Sequence, residues 1–216
     1  MISASRRCCL MIFWNLILFV LAVVGAVMNI SNNPAGESFV YYTQDSNIFL
    51  GIASGIYCVA AIGAYRRRDY QIPFWVQVLK YLSVCCIAVT FIVVLCILLP
   101  MCIPVGLAKW ILIEDSKLFQ HILSPVIALA GFLLIEHKPE LPFKMTFIAL
   151  IPTCIYAAVI YPLNILRMVD GPYPFLQVYD LGPVMSVVWF FIILAVSYLL
   201  AFLVWLGNRK ISLNRT

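Results

Sequence analysis

Residues 81–103, YLSVCCIAVTFIVVLCILLPMCI, run for 23 positions without Asp, Glu, Lys or Arg. An apolar run of roughly 20 residues matches an α-helix that crosses the hydrocarbon core of a bilayer. On either side of it, five more stretches are equally free of charge: Cys8–Ile30, Ser46–Tyr65, Leu118–Ile135, Met145–Leu166 and Val184–Leu206. These are continuous runs. Strands of a membrane barrel would instead alternate apolar and polar residues over about ten positions. The sequence predicts an all-α integral membrane fold, a six-transmembrane-helix bundle in one polytopic domain covering residues 1–216.

Composition agrees. Hydrophobic residues make up 64% of the chain and charged ones 11%, against roughly 45–50% and 25% for soluble domains, so there is too little charge to coat a water-facing surface. Arg6 and Arg7 precede the first span as in a signal peptide, but its apolar run exceeds the usual 7–15 residues and no small-residue cleavage site closes it. It is read as a helix.

Lys and Arg sort between alternate loops. Arg6, Arg7, Arg66, Arg67, Arg68, Lys80, Lys138, Lys144, Arg209, Lys210 and Arg215 fall on one side, against Lys109, Lys117 and Arg167. Cytoplasmic loops carry the excess, so both termini are expected in the cytoplasm. The net charge of +5 then describes topology, and nucleic acid is not expected as a partner. Arg66–Arg68 reads as an anchor touching anionic membrane lipid. In a bacterial host the membrane would be the cell membrane.

The eight cysteines, Cys8, Cys9, Cys58, Cys85, Cys86, Cys96, Cys102 and Cys154, lie in or beside spans, with no C-x-x-C pair and only two histidines to join them. Neither a metal site nor a disulfide framework is expected, and no cofactor. All but Cys102 read as small packing residues. Cys8 and Cys9 also suit palmitoylation in a eukaryote, and Asn29-Ile30-Ser31 fits a glycosylation sequon lying against the membrane.

Polar chemistry gathers at two helix starts. In Tyr41-Tyr42-Thr43-Gln44-Asp45-Ser46-Asn47, the residues Thr43, Ser46, Asn47 and later Ser54 share one helical face. Thr43 suits a helix cap and Asp45 the helix dipole. The same stripe also suits an interior, functional face. In Lys117-Leu118-Phe119-Gln120-His121-Ile122-Leu123-Ser124-Pro125, His121 and Ser124 share a face and Pro125 withholds the N–H that would bond the His121 carbonyl. His121 reads either as a water-satisfied interfacial histidine or as a functional group. Both helices run inward from the outside, so Thr43 and His121 share a depth near the outer leaflet although 78 positions separate them. A threonine hydroxyl needs a base, and imidazole is best matched to that task at neutral pH. His137 lies at the other end of its helix and cannot serve. The segment Asn164 to Gly182 is long for a bundle connection and reads as a lid or re-entrant segment over the outer face. Thr146, Thr153 and Asn164 recur on one face of the fifth span and read as packing residues.

At these residues the chain resembles the androgen-induced and androgen-dependent six-helix membrane proteins and their bacterial relatives. The shared features are YYTQDSNIF opening the second span, HILSPVIALAGFLLIE across the fourth and GPYPFLQV in the last outer loop. Their order extends from about Phe39 to Val178. The segment KLFQ before His121 departs from the animal members, and TQDSN is similar to the bacterial branch. The resemblance implies a membrane hydrolase that cleaves ester bonds in lipids, notably fatty acid esters of hydroxy fatty acids, with Thr43 as nucleophile and His121 as base.

The expected function is therefore intramembrane hydrolysis of a lipid or other acyl ester through Thr43 and His121. Ser46, Asn47 or a freed backbone N–H is the expected oxyanion donor, Asp45 or Asp180 the residue orienting His121, with Ser124 in support. Two rivals stand beside it. One uses Cys102 with His121, since a thiol is easier to activate. The other is a non-catalytic scaffold or small transporter; the expectation that every ionisable group lies at the periphery weakens the transporter and leaves the scaffold standing.

Overall fold

The computed structural model describes residues 3–33, 36–136 and 141–213. His137 and Lys138, and Arg215 beyond the last helix, lie outside the described residues. Every regular element among the described residues is helical. The long elements are α1 (Ala4–Asn32), α2 (Tyr42–Arg67), α3 (Phe74–Cys102), α6 (Met145–Ile165) and α7 (Val178–Leu213). Between α3 and α6 lie a short α4 (Ala108–Ile113) and α5 (Leu118–Leu134).

Five of these helices are long and apolar enough to cross a membrane. Helix α5 has 17 residues, about 26 Å at 1.5 Å per residue, slightly short of a hydrocarbon core of roughly 30 Å. Outer faces of the bundle expose Phe13, Val20, Ile52, Val59, Ile155 and Phe191, a surface suited to lipid and consistent with an integral membrane protein.

Close helix contacts rest on small residues, as expected where lipid supplies no hydrophobic drive between helices. Gly51 of α2 meets Ala22 of α1, and Gly131 of α5 lies under the indole of Trp14. That indole donates to the Ile127 carbonyl at 2.9 Å. Leu18, Leu50, Tyr81, Ile87, Ala128 and Phe132 form the central core, and the Tyr81 hydroxyl ties α3 to α7 through the Ala201 carbonyl at 2.8 Å.

Two helix starts differ from the sequence reading. Helix α2 begins at Tyr42, four residues earlier than the charge-free stretch, and Tyr41 caps it without a side-chain hydrogen bond. Thr43 is therefore not the cap. Asp45 does sit in the first turn, where it complements the dipole.

Helix α3 begins at Phe74, so Lys80 lies inside it. The Lys80 side chain is fully buried, donates to Ser54 Oγ at 2.6 Å and faces Glu136 at 3.7 Å. Asn15 Nδ2 donates to the same Glu136 oxygen at 2.9 Å. Lys80 is thus not a loop anchor but a cation buried among the helices and paired with Glu136 just past the end of α5. A carboxylate and an ammonium can share this interior because each offsets the other's desolvation. Arg66, Arg67 and Arg68 do lie exposed at the end of α2.

Candidate active site

The chain forms a chamber of about 330 Å³ at the Thr43 end of the bundle. Its shape follows from two irregular turns. In α3 the residues Val94–Leu98 widen into a π-turn that closes with the Leu99 N–H on the Val94 carbonyl. In α5 the residues Leu118–Leu123 do the same, with the Ser124 N–H on the Phe119 carbonyl. Such turns are rare and concentrate at functional sites. Each is followed within two residues by a proline, Pro100 or Pro125, which lacks the N–H needed to restore the α ladder. The distortion expected beside His121 takes this form.

His121 sits in the second π-turn, with only 6% of its surface exposed. It is more buried than an interfacial, water-satisfied histidine. Its Nδ1 lies 2.6 Å from the carbonyl oxygen of Ile111. Ile111 belongs to the last turn of α4, where carbonyls have no partner within the helix. A carbonyl only accepts, so Nδ1 carries the proton and Nε2 keeps its lone pair. The orienting group is thus a backbone carbonyl rather than Asp45 or Asp180. Asp180 is exposed in the first turn of α7 and does not line the chamber. Asp45 is half-buried and does not line it either.

Thr43 lines the same chamber as His121. The Tyr173 hydroxyl receives the Thr43 N–H at 3.2 Å and lies 3.2 Å from Thr43 Oγ1. Tyr173 comes from the connection between α6 and α7, which folds back over the chamber so that Tyr173, Phe175 and Leu176 are buried. Asn164 holds the base of this hood. Its Nδ2 donates to the Val169 carbonyl and its Oδ1 accepts the Val178 N–H, each at 3.0 Å. Burial pushes the Tyr173 phenol up to about 12, so it remains a proton donor at neutral pH.

The other named residues act behind the chamber wall. Ser46 Oγ donates to the Thr43 carbonyl at 3.1 Å and pairs with Thr90 Oγ1 at 2.8 Å. Asn47 Nδ2 donates to the carbonyls of Thr43 at 2.9 Å and Gln120 at 3.2 Å. Their donors are engaged on backbone, so neither is placed as an oxyanion donor. They fix the first turn of α2 instead. Ser124 is buried and does not line the chamber, and its hydroxyl is unpaired.

Sequence reasoning missed three groups here. Tyr173 carried a signal, since it lies in the GPYPFLQV segment. The Ile111 carbonyl carried none. Gln44 is the third: Gln120 Nε2 donates to Gln44 Oε1 and to the Gly25 carbonyl. The Gln44 Nε2 is left buried and unpartnered behind the chamber, which Gln44 helps to line.

Cys102, at the end of α3, also lines the chamber. Asn29 does too, but its Nδ2 donates to Ser116 Oγ at 3.3 Å, so the sequon amide is held inside the fold. Cys9 is exposed on α1 whereas Cys8 is buried. No group of three or more metal-binding side chains gathers among the described residues. Compared with family models, curated proteins and solved structures, the chain finds no match in any of the three.

Proposed function

We propose that this is an intramembrane hydrolase of lipid or other acyl esters, with Thr43 as nucleophile and His121 as base. One observation carries the reading: Thr43 and an imidazole whose Nδ1 is held by a backbone carbonyl line a single chamber. That tautomer leaves Nε2 able to take a proton. The resemblance of YYTQDSNIF, HILSPVIALAGFLLIE and GPYPFLQV to a threonine hydrolase family supports the same assignment.

The chemistry runs in two halves. Thr43 Oγ1 bonds to the ester carbonyl carbon while His121 Nε2 takes the hydroxyl proton. The C–O bond of the ester then breaks, and the alcohol leaves with that proton. Water then adds to the acyl-enzyme, its hydroxyl bonding to the carbonyl carbon and its proton going to His121; the Thr43 Oγ1–carbon bond breaks, the carboxylic acid leaves, and His121 returns the proton to Oγ1. The carbonyl oxygen carries negative charge in both halves. One donor suits it, the neutral Tyr173 hydroxyl.

A fluorophosphonate tests the nucleophile directly. The purified protein should be labelled, and peptide mass spectrometry should place the adduct on Thr43. An adduct on Cys102 would move the nucleophile to the thiol. Absence of any adduct, with no ester turned over, would leave a scaffold or transporter. Tyr173→Phe should lower kcat by roughly 10²-fold or more, the loss typical of one oxyanion donor, while KM changes little. Equal losses in kcat and thermal stability would assign Tyr173 to holding the hood alone.

The reading includes six spans, with α5 as the short one, and both termini in the cytoplasm. The exposed Arg66–Arg68 run supports that orientation. A single cysteine at position 67 of a cysteine-depleted protein should resist an impermeant thiol reagent in intact cells and react after permeabilisation. Labelling in intact cells would invert the orientation.

A further inference from the structure

A second cavity meets the chamber at Thr43. It is a narrow slot between α3, α6 and α7, and Thr43, Leu98 and Tyr173 line both spaces. No charged residue lines it. Its hydroxyls are already paired: Tyr42 with Thr153 at 2.9 Å, Thr90 with Ser46 at 2.8 Å, Tyr156 with the Val40 carbonyl at 2.8 Å and Tyr161 with the Ser186 carbonyl at 3.0 Å. An occupant therefore finds hydrocarbon contacts and no free polar group until it reaches Thr43. The chamber on the other side of Thr43 is different, being lined by Asn29, Asn33, Gln44, Lys117 and Gln120 as well as His121.

We infer that the slot binds the acyl chain of the ester, unbranched and in extended form, and that the chamber takes the alcohol portion. This rests on the hydrolase reading above and adds direction to it. Chemistry fixes which half goes where. The alcohol must leave on the side of His121, which protonates it, and water must then arrive on that same side. The acyl group stays on Thr43 and needs a dry place. Along α3 the slot lining runs from Val89 to Leu98, roughly 13 Å at 1.5 Å per residue. An extended chain with C–C bonds of about 1.5 Å advances roughly 1.3 Å per methylene. The lined length thus sets an upper limit on the order of ten carbons, and with about 50 Å³ open in the slot a chain of that length must press wall side chains aside.

Each methylene transferred from water to such a wall contributes roughly fourfold in kcat/KM. With p-nitrophenyl esters from acetate to hexadecanoate, kcat/KM should rise with chain length and flatten at or before about ten carbons. Ala157 lies on the α6 wall of the slot. Ala157→Trp should lower the ratio of decanoate to acetate kcat/KM by about 10-fold or more, since an indole displaces several methylenes. An unchanged ratio in a folded variant would overturn the proposal, as would a flat chain-length profile in the unmodified protein.

A readout that needs neither turnover nor a substitution uses decanoic acid carrying a diazirine near its methyl end. After irradiation of the unmodified protein, crosslinks should fall on Val89, Val93, Ala157 or Leu194. Crosslinks on Asn33, Trp110 or Lys117 would place the chain in the chamber and overturn the assignment. Slot crosslinks without any ester hydrolysis would sink the hydrolase reading and leave the chain-binding site standing. Hydrolysis through Thr43 with chamber crosslinks would do the opposite.

Discussion

Thr43→Ala should reduce ester hydrolysis by on the order of 10³-fold or more and remove fluorophosphonate labelling, whereas Thr43→Ser should keep part of both. Only the hydroxyl is required chemically. His121→Ala should lower kcat/KM by roughly 10²–10⁴-fold. It also leaves the Ile111 carbonyl without its partner, at a cost of about 1 kcal/mol in stability, so the two effects must be read separately. The double variant separates them. If Thr43 and His121 act in one step, the variant lacking both is about as inactive as either single one. Losses that multiply would show that His121 acts outside the Thr43 step, and would remove the base from the mechanism.

The second large effect is on stability. Lys80→Met should lower the thermal midpoint in detergent sharply, by an amount corresponding to about 3–5 kcal/mol, because it leaves the Glu136 carboxylate in the interior without its ammonium. Lys80→Met with Glu136→Met should recover most of that loss, since a buried ion pair and an apolar pair of similar volume are often close in stability. Equal instability of the single and double variants would show that the pair does something an apolar substitute cannot. The pair ties α3 to the end of α5, and Ser54 and Asn15 bring in α2 and α1.

How much of this was legible in the sequence depends on the length of the signal. The apolar helices were, because each is set by some twenty consecutive residues. Their starts were not visible in the charge-free windows, although the polar residues from Tyr41 to Asn47 did mark the start of α2. A charge-free window begins only after Asp45 and Lys80, yet both lie within helices. Asp45 is tolerated by the dipole and Lys80 by Glu136, a partner 56 positions away that no local window contains. Thr43 and His121 were singled out by residue type and an expected shared depth, and one chamber is lined by both. The group on Nδ1 of His121 could not be found this way. Chemistry suggested a carboxylate, and the chain uses a main-chain oxygen, which any residue at position 111 would supply. Ser46 and Asn47 shared the Thr43 face as expected, but they point at its carbonyl rather than into the cavity. Face tells which side of a helix a group occupies. It does not tell which acceptor lies nearest.

The two π-turns also bear on how such a chain tolerates change in length. Each fits one extra residue into a turn without displacing the helix beyond it, which makes it the footprint of a single inserted amino acid. Deleting residue 122 or 123 would let that turn rewind to an α-helix with the helix on either side in place, so that only residues of the turn itself change facing. His121 is one of them, while every residue of the α5 core keeps its place. In an alignment such a chain would differ by one gap and no substitution. Gaps at positions 94–98 and 118–123 therefore deserve to be read as changes of site, even in chains whose spans and motifs match throughout.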